Sequence, residues 1–119
     1  MEIVTRREER CLEIILKGEL DHHGAHESAG QLERSIESAL PLRLVLDWSG
    51  VTFMDSSGIA VVLGAQRNLL GAGQTFCVIR TPPSAMRIFK AAGIQKRVQF
   101  LPDLPTLHLE EEEPVCAGK

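Results

Sequence analysis

Short apolar runs of strand length alternate with stretches of helical spacing along most of this chain. That alternation constrains the fold more than any other feature. LRLVLDW (42–48) is strongly apolar and of strand length, the best candidate for a central strand. QTFCVI (74–79) reads as a third buried strand and RVQFL (97–101) as a last short one. Ile59, Val62, Leu63, Leu69 and Leu70 form a helical stripe closed by GAG at 71–73. Met86, Ile88 and Phe89 form another, with Thr81 as the expected N-cap, Pro82 preset for the first turn, and Gly93 as the stop. Ala29, Leu32, Ile36, Ala39 and Leu40 predict a helix over 27–40, closed by Pro41.

Upstream, CLEIILKGEL alternates, with Leu12, Ile14 and Leu16 on one face and Glu13 and Lys17 on the other. It reads as a half-buried strand ended by Gly18, and EIVTRREE before it as a partner strand. DHHG (21–24) is expected as a loop and SGVTF (49–53) as a turn. A strand pair followed by alternating elements calls for an α/β layer with right-handed crossovers.

At 119 residues the chain holds one domain and one core. A net charge of −3 argues against general nucleic-acid binding, which needs a basic face, and with no tyrosine and one tryptophan there is no aromatic platform for bases. No apolar run approaches the roughly 20 residues needed to span a bilayer, and MEIVTRREER lacks the apolar centre of a signal peptide. Cys11, Cys77 and Cys116 are odd in number and form no CxxC, so neither a disulfide framework nor a zinc site is expected and a cytoplasmic setting is the default.

The chemistry concentrates where an apolar strand hands over to an apolar helix, at Asp55-Ser56-Ser57-Gly58. Asp or Ser there can cap the helix, worth about 0.5–2 kcal/mol relative to Ala. A cap explains one such residue easily; two serines and a glycine that forms helix poorly fit a displayed functional serine as well. Both readings stand on the residues alone. A serine hydrolase would need a nearby base, and His22, His23 and His26 are available, but the G-x-S-x-G pattern is absent because residue 54 is Met. HHxxH could suggest a metal, yet with Gly24 inside it the segment reads as solvated loop histidines. Glu110 to Glu113 read as a solvated run.

KGELDHHGAHES, VLDWSGVTFMDSSGIAVVLGAQRNL and PPSAMRIFKAAGIQKRVQF, in this order and spacing, resemble the STAS domain of bacterial anti-anti-sigma factors, nearest to the sporulation type. The resemblance covers roughly residues 2–107, which sets a STAS domain over 1–107 and an acidic tail over 108–119. It implies a mixed four- to five-stranded sheet with helices packed mainly on one face, and a regulatory module that is not an enzyme and needs no cofactor. It further implies that Ser56 is phosphorylated by an ATP-using anti-sigma factor serine kinase and dephosphorylated by a PP2C-type phosphatase. The unphosphorylated form would bind the kinase and release the sigma factor. Asp21 belongs to the kinase contact in that family, with a plain helix cap as the competing reading.

Loops at the same end of neighbouring strands meet in space. The expected contact surface therefore joins Asp21, His22 and His23 to Asp55, Ser57, Gly58, Ile59 and Val61. Ile59 fits the buried stripe with Val62; Val61 falls off it and is expected to touch the partner. A monomer is the default. The alternatives are a STAS module of a stress-response pathway or larger signalling complex, and a small hydrolase.

Overall fold

The computed structural model describes residues 1–104 apart from Leu70 and Ala72. The acidic tail and Cys116 lie outside the described residues. The elements run β1 (Glu2–Glu8), β2 (Cys11–Leu20), α1 (His22–Ala39), β3 (Arg43–Met54), α2 (Ser57–Arg67), β4 (Thr75–Ile79), α3 (Pro83–Ala91), a 3₁₀ turn (Ile94–Lys96) and β5 (Gln99–Leu101). They build a mixed five-stranded sheet in the order β1-β2-β3-β4-β5, in which β1 is antiparallel to β2 and the other pairs are parallel.

Sequential strand order explains where the helices sit. Right-handed crossovers that step one strand at a time in one direction return every helix to the same face. Leu12, Ile14 and Leu16 of β2, Leu44, Leu46 and Trp48 of β3, and Val78 of β4 accordingly share one core with residues of α1 (Leu32, Ile36), α2 (Val61, Val62, Ala65) and α3 (Ala85, Phe89). The opposite face carries a smaller cluster, Val45, Cys77 and Ile79, flanked among the described residues by Cys11, Leu101 and Leu104 and by no helix residue. At the centre of the main core Phe89 meets Trp48 edge-on, with centroids 5.7 Å apart, and packs against Phe100 at 5.0 Å. Both Trp48 and Phe89 are fully buried, and emptying such an aromatic site by substitution to Ala costs about 3–5 kcal/mol.

Several expectations are corrected. The segment 21–24 is not a loop: α1 starts at His22, because the Asp21 carboxylate caps it and overrides the weak helix preference of Gly24. Within α1, Leu32 and Ile36 are buried but Ala29 is exposed. Leu40 takes a left-handed C-cap conformation (φ 48°, ψ 57°), which swings its side chain outward to 68% exposure. Gly18 does not end β2. Residues 49–53 are no turn: β3 runs on to Met54, with two register shifts against β2, because Val51 and Met54 find burial in the helix-side core. Gly50 permits this, since a Cβ there would lie 2.7 Å from Lys17 Cγ and 2.8 Å from the Leu16 carbonyl oxygen. Helix α2 stops at Arg67, short of Leu69, as its last turn tightens and the Leu69 N–H donates to the Gln66 carbonyl at 3.1 Å. Thr81 does not cap α3: Pro82 holds the cap position, and Thr81 Oγ1 is buried without a hydrogen-bond partner among the described residues.

Candidate docking and modification site

β2 and β3 outrun their neighbours at one end. Pairing with β1 reaches only Lys17, and pairing with β4 reaches only Asp47, whereas β2 and β3 remain paired as far as Leu20 and Met54. The next residue on each strand is an aspartate. Asp21 and Asp55 thus leave adjacent parallel strands, whose axes are about 4.8 Å apart. The Asp55 N–H donates to the Leu20 carbonyl at 3.3 Å and locks the two corners together.

Each aspartate opens a helix. Asp21 Oδ1 accepts from the Gly24 N–H at 2.8 Å, and the Asp21 carbonyl accepts from the Ala25 N–H at 2.8 Å. Asp55 Oδ1 accepts from the Ser57 N–H at 2.8 Å. The Gly58 N–H then donates to the Asp55 carbonyl and the Ile59 N–H to the Ser56 carbonyl, both at 3.1 Å. The first three N–H groups of α2 are therefore already taken. Ser56 occupies the N-cap position with helical dihedrals (φ −65°, ψ −12°), makes no side-chain cap bond, and is exposed. The cap is Asp55, and the Ser56 hydroxyl is spare.

His22 and His23 lie exposed in the first turn of α1, and Ser57 and Ile59 are half-buried. The corner therefore brings Asp21, His22 and His23 to the same end of the sheet as Asp55, Ser56 and Ser57. Two neighbours sit otherwise than expected. Val61 is 4% exposed and packs in the main core with Val62, so it is a core residue and not a surface contact. Its place is set by α1, which packs along α2 and buries a wider stripe than the sheet alone requires. Gly58 is also buried. A Cβ there would lie 2.5 Å from Met54 Sδ and 2.6 Å from Met54 Cγ, so the close approach this glycine allows is made by its own chain. The Trp48 indole N–H donates to that same sulfur at 3.4 Å. Phe53, half exposed near the end of β3, was not legible as a surface residue, because a register shift that leaves Thr52 without a partner between Val51 and Phe53 reverses the faces, so that Phe53 does not share the buried side of Val51.

Among the described residues there is no cluster of three or more His, Cys, Asp or Glu suited to a metal, and no helix long and apolar enough to cross a membrane.

A mixed sheet in sequential order, helices on one face, and a serine corner where β3 meets α2 define the class. The chain matches the STAS domain over residues 2–111 and belongs to that family. It is similar to the anti-sigma F factor antagonist of Lysinibacillus sphaericus, 30% identical over 94 residues that cover 79% of this chain and 78% of that one. Among solved structures it resembles the anti-sigma factor antagonist SpoIIAA in its unphosphorylated form, with a TM-score of 0.69 and 23% identity over 83% of this chain and 87% of that one. It also resembles the phosphorylated form of the Bacillus cell fate determinant SpoIIAA, with a TM-score of 0.63 and 23% identity over 83% and 90%. At that identity the structural likenesses establish the fold.

Proposed function

We propose that this protein is an anti-sigma factor antagonist of the sporulation type, switched by phosphorylation of Ser56. In its unphosphorylated form it binds an anti-sigma factor that is also an ATP-using serine kinase, and so frees a sigma factor. The kinase phosphorylates Ser56, the partner leaves, and a PP2C-type phosphatase resets the switch. The protein works by binding, as a cytoplasmic monomer, with Asp21, His22, His23, Asp55, Ser57 and Ile59 around the serine in the contact.

The observation that carries this reading is the spare hydroxyl of Ser56, exposed at a helix start whose capping is done by Asp55. The similarity to a curated anti-sigma F factor antagonist supports it. The physics of the switch follows from the same geometry. A phosphate adds about −1.5 to −2 charge at pH 7. The nearest helix N–H groups are occupied and the Asp55 carboxylate stands beside it, so the phosphate finds no place in the fold and remains at the surface. A partner surface that closed over a neutral hydroxyl would then have to bury an unpaired, strongly hydrated anion, which is costly enough to expel it.

The test is intact-mass and peptide mapping after incubation with a sporulation anti-sigma kinase and ATP, beside Ser56→Ala and Ser57→Ala proteins. One added phosphate on the peptide containing Ser56, absent only from Ser56→Ala, is the expected result. No phosphate, with the kinase active on another substrate, or a phosphate retained in Ser56→Ala, would overturn the assignment.

A further inference from the structure

We infer that Phe53 is the apolar anchor by which the anti-sigma factor grips the Ser56 corner, an inference that rests on the corner being the docking site. Three large apolar side chains are exposed among the described residues: Leu40 at 68%, Leu42 at 42% and Phe53 at 50%. Scattered apolar residues on a surface are ordinary; position separates these three. Leu40 and Leu42 flank Pro41 at the start of β3, whereas Phe53 lies at the far end of that 12-residue strand, roughly 35 Å away at about 3.3 Å per residue. Only Phe53 is near the serine: three residues of chain reach at most about 10 Å. A specific interface covers about 800 Å² on each partner, equivalent to a disc of roughly 16 Å radius, so an interface centred on Ser56 reaches Phe53 and misses the leucine pair.

The fold presents Phe53 deliberately outward. Its neighbour Met54 is turned into the helix-side core at 7% exposure, which sends Phe53 to the other side of the strand. It pairs with Glu19, itself exposed, beyond the last rung that β1 or β4 supplies. Phe53 therefore stands on the projecting β2–β3 ribbon that carries Ser56, flanked by β2 alone among the described strands. The chemistry of the occupant follows. It is an anti-sigma factor offering an apolar pocket next to the groove that receives the serine, and aromatic side chains in such pockets are characteristic binding hot spots.

The test measures binding of the full chain to the sporulation anti-sigma kinase used for mapping, by calorimetry, for the unaltered protein and for Phe53→Ala, Phe53→Leu and Leu40→Ala. The expected result is about thirtyfold weaker binding for Phe53→Ala, partial recovery for Phe53→Leu, and no change for Leu40→Ala. Binding of Phe53→Ala within twofold of the unaltered protein would overturn the anchor while leaving the docking reading intact. No binding by the unaltered protein would remove both. Uniform labelling with 4-fluorophenylalanine gives a readout that needs no substitution. Of the four phenylalanines only Phe53 is exposed, and its fluorine resonance is expected to move on adding the kinase; a resonance that stays put under saturation would sink the proposal.

Discussion

The backbone N–H of Asp55 donates to the carbonyl of Leu20 at 3.3 Å, joining the two strand ends from which both site helices start. Because that bond uses only the main chain, the Asp55 carboxylate remains available to cap α2 through the Ser57 N–H at 2.8 Å. Replacing Asp55 by Ala is expected to lower stability by about 0.5–2 kcal/mol, while Asn, which can still accept the bond, preserves most of it. Urea unfolding of the two variants checks this; equal losses for Ala and Asn would mean that capping is not the carboxylate's contribution.

Ser56→Glu removes no hydrogen bond, since the Ser56 side chain makes no cap bond. Its stability is expected to stay within about 0.5 kcal/mol of the unaltered protein, as for ordinary surface changes. Amide chemical-shift changes are expected to concentrate near residues 19–24 and 53–60. Changes spread across the whole sheet would contradict a local switch.

At position 58 two effects oppose each other. Alanine forms helix better than glycine by about 1 kcal/mol. Its Cβ, however, would sit 2.5 Å from Met54 Sδ, and that sulfur is held by the Trp48 indole at 3.4 Å. Overpacking typically costs about 1–3 kcal/mol, so Gly58→Ala is expected to destabilise the unaltered protein. In a Met54→Ala background the obstacle is gone and the same change is expected to be neutral or stabilising. A double-mutant cycle by urea unfolding reads the coupling directly; additive effects would refute the contact.

Cys77, on the sheet face opposite the main core, is 4% exposed. Burial pushes its thiol up from 9.0 to about 11, with the Arg43 guanidinium pulling in the opposite direction. Below the unfolded value both states keep the proton, and the full contribution to stability is present. Between about 9 and 11 only the unfolded chain ionises, so stability falls as pH rises through that window. Cys77→Ala is expected to show a flatter stability profile there, measured as the difference between the two proteins so that other titrating groups cancel. Parallel profiles would exclude the thiol as the cause.

The succession of strands and helices along the chain was legible because burial on one face writes itself as spacing, as in Leu12, Ile14 and Leu16, or Leu32 and Ile36, whereas the order of the strands in the sheet was not read from it. Boundaries were less legible, since they depend on contacts between segments. Gly24 looks like a loop residue until Asp21 is placed as its cap, and the 49–53 stretch looks like a turn until Val51 and Met54 find the core. At the site, the sequence marked the serine corner but not the division of labour within it. That Asp55 rather than Ser56 supplies the cap is a matter of dihedrals and one hydrogen bond, and either residue type suits the position. Val61 was misplaced for a related reason: a stripe read against one packing partner understates the buried arc of a helix that has two.

The cap made by Asp55 also separates two demands that a regulated serine would otherwise meet with one side chain. The fold draws a cap bond from the side chain at position 55 and none from the side chain at position 56. On the proposed reading, a cycle of modification at Ser56 would therefore break no cap of α2. On the proposed reading, substitution of Ser56 should accordingly cost response without stability, whereas Asp55→Ala should cost some of both.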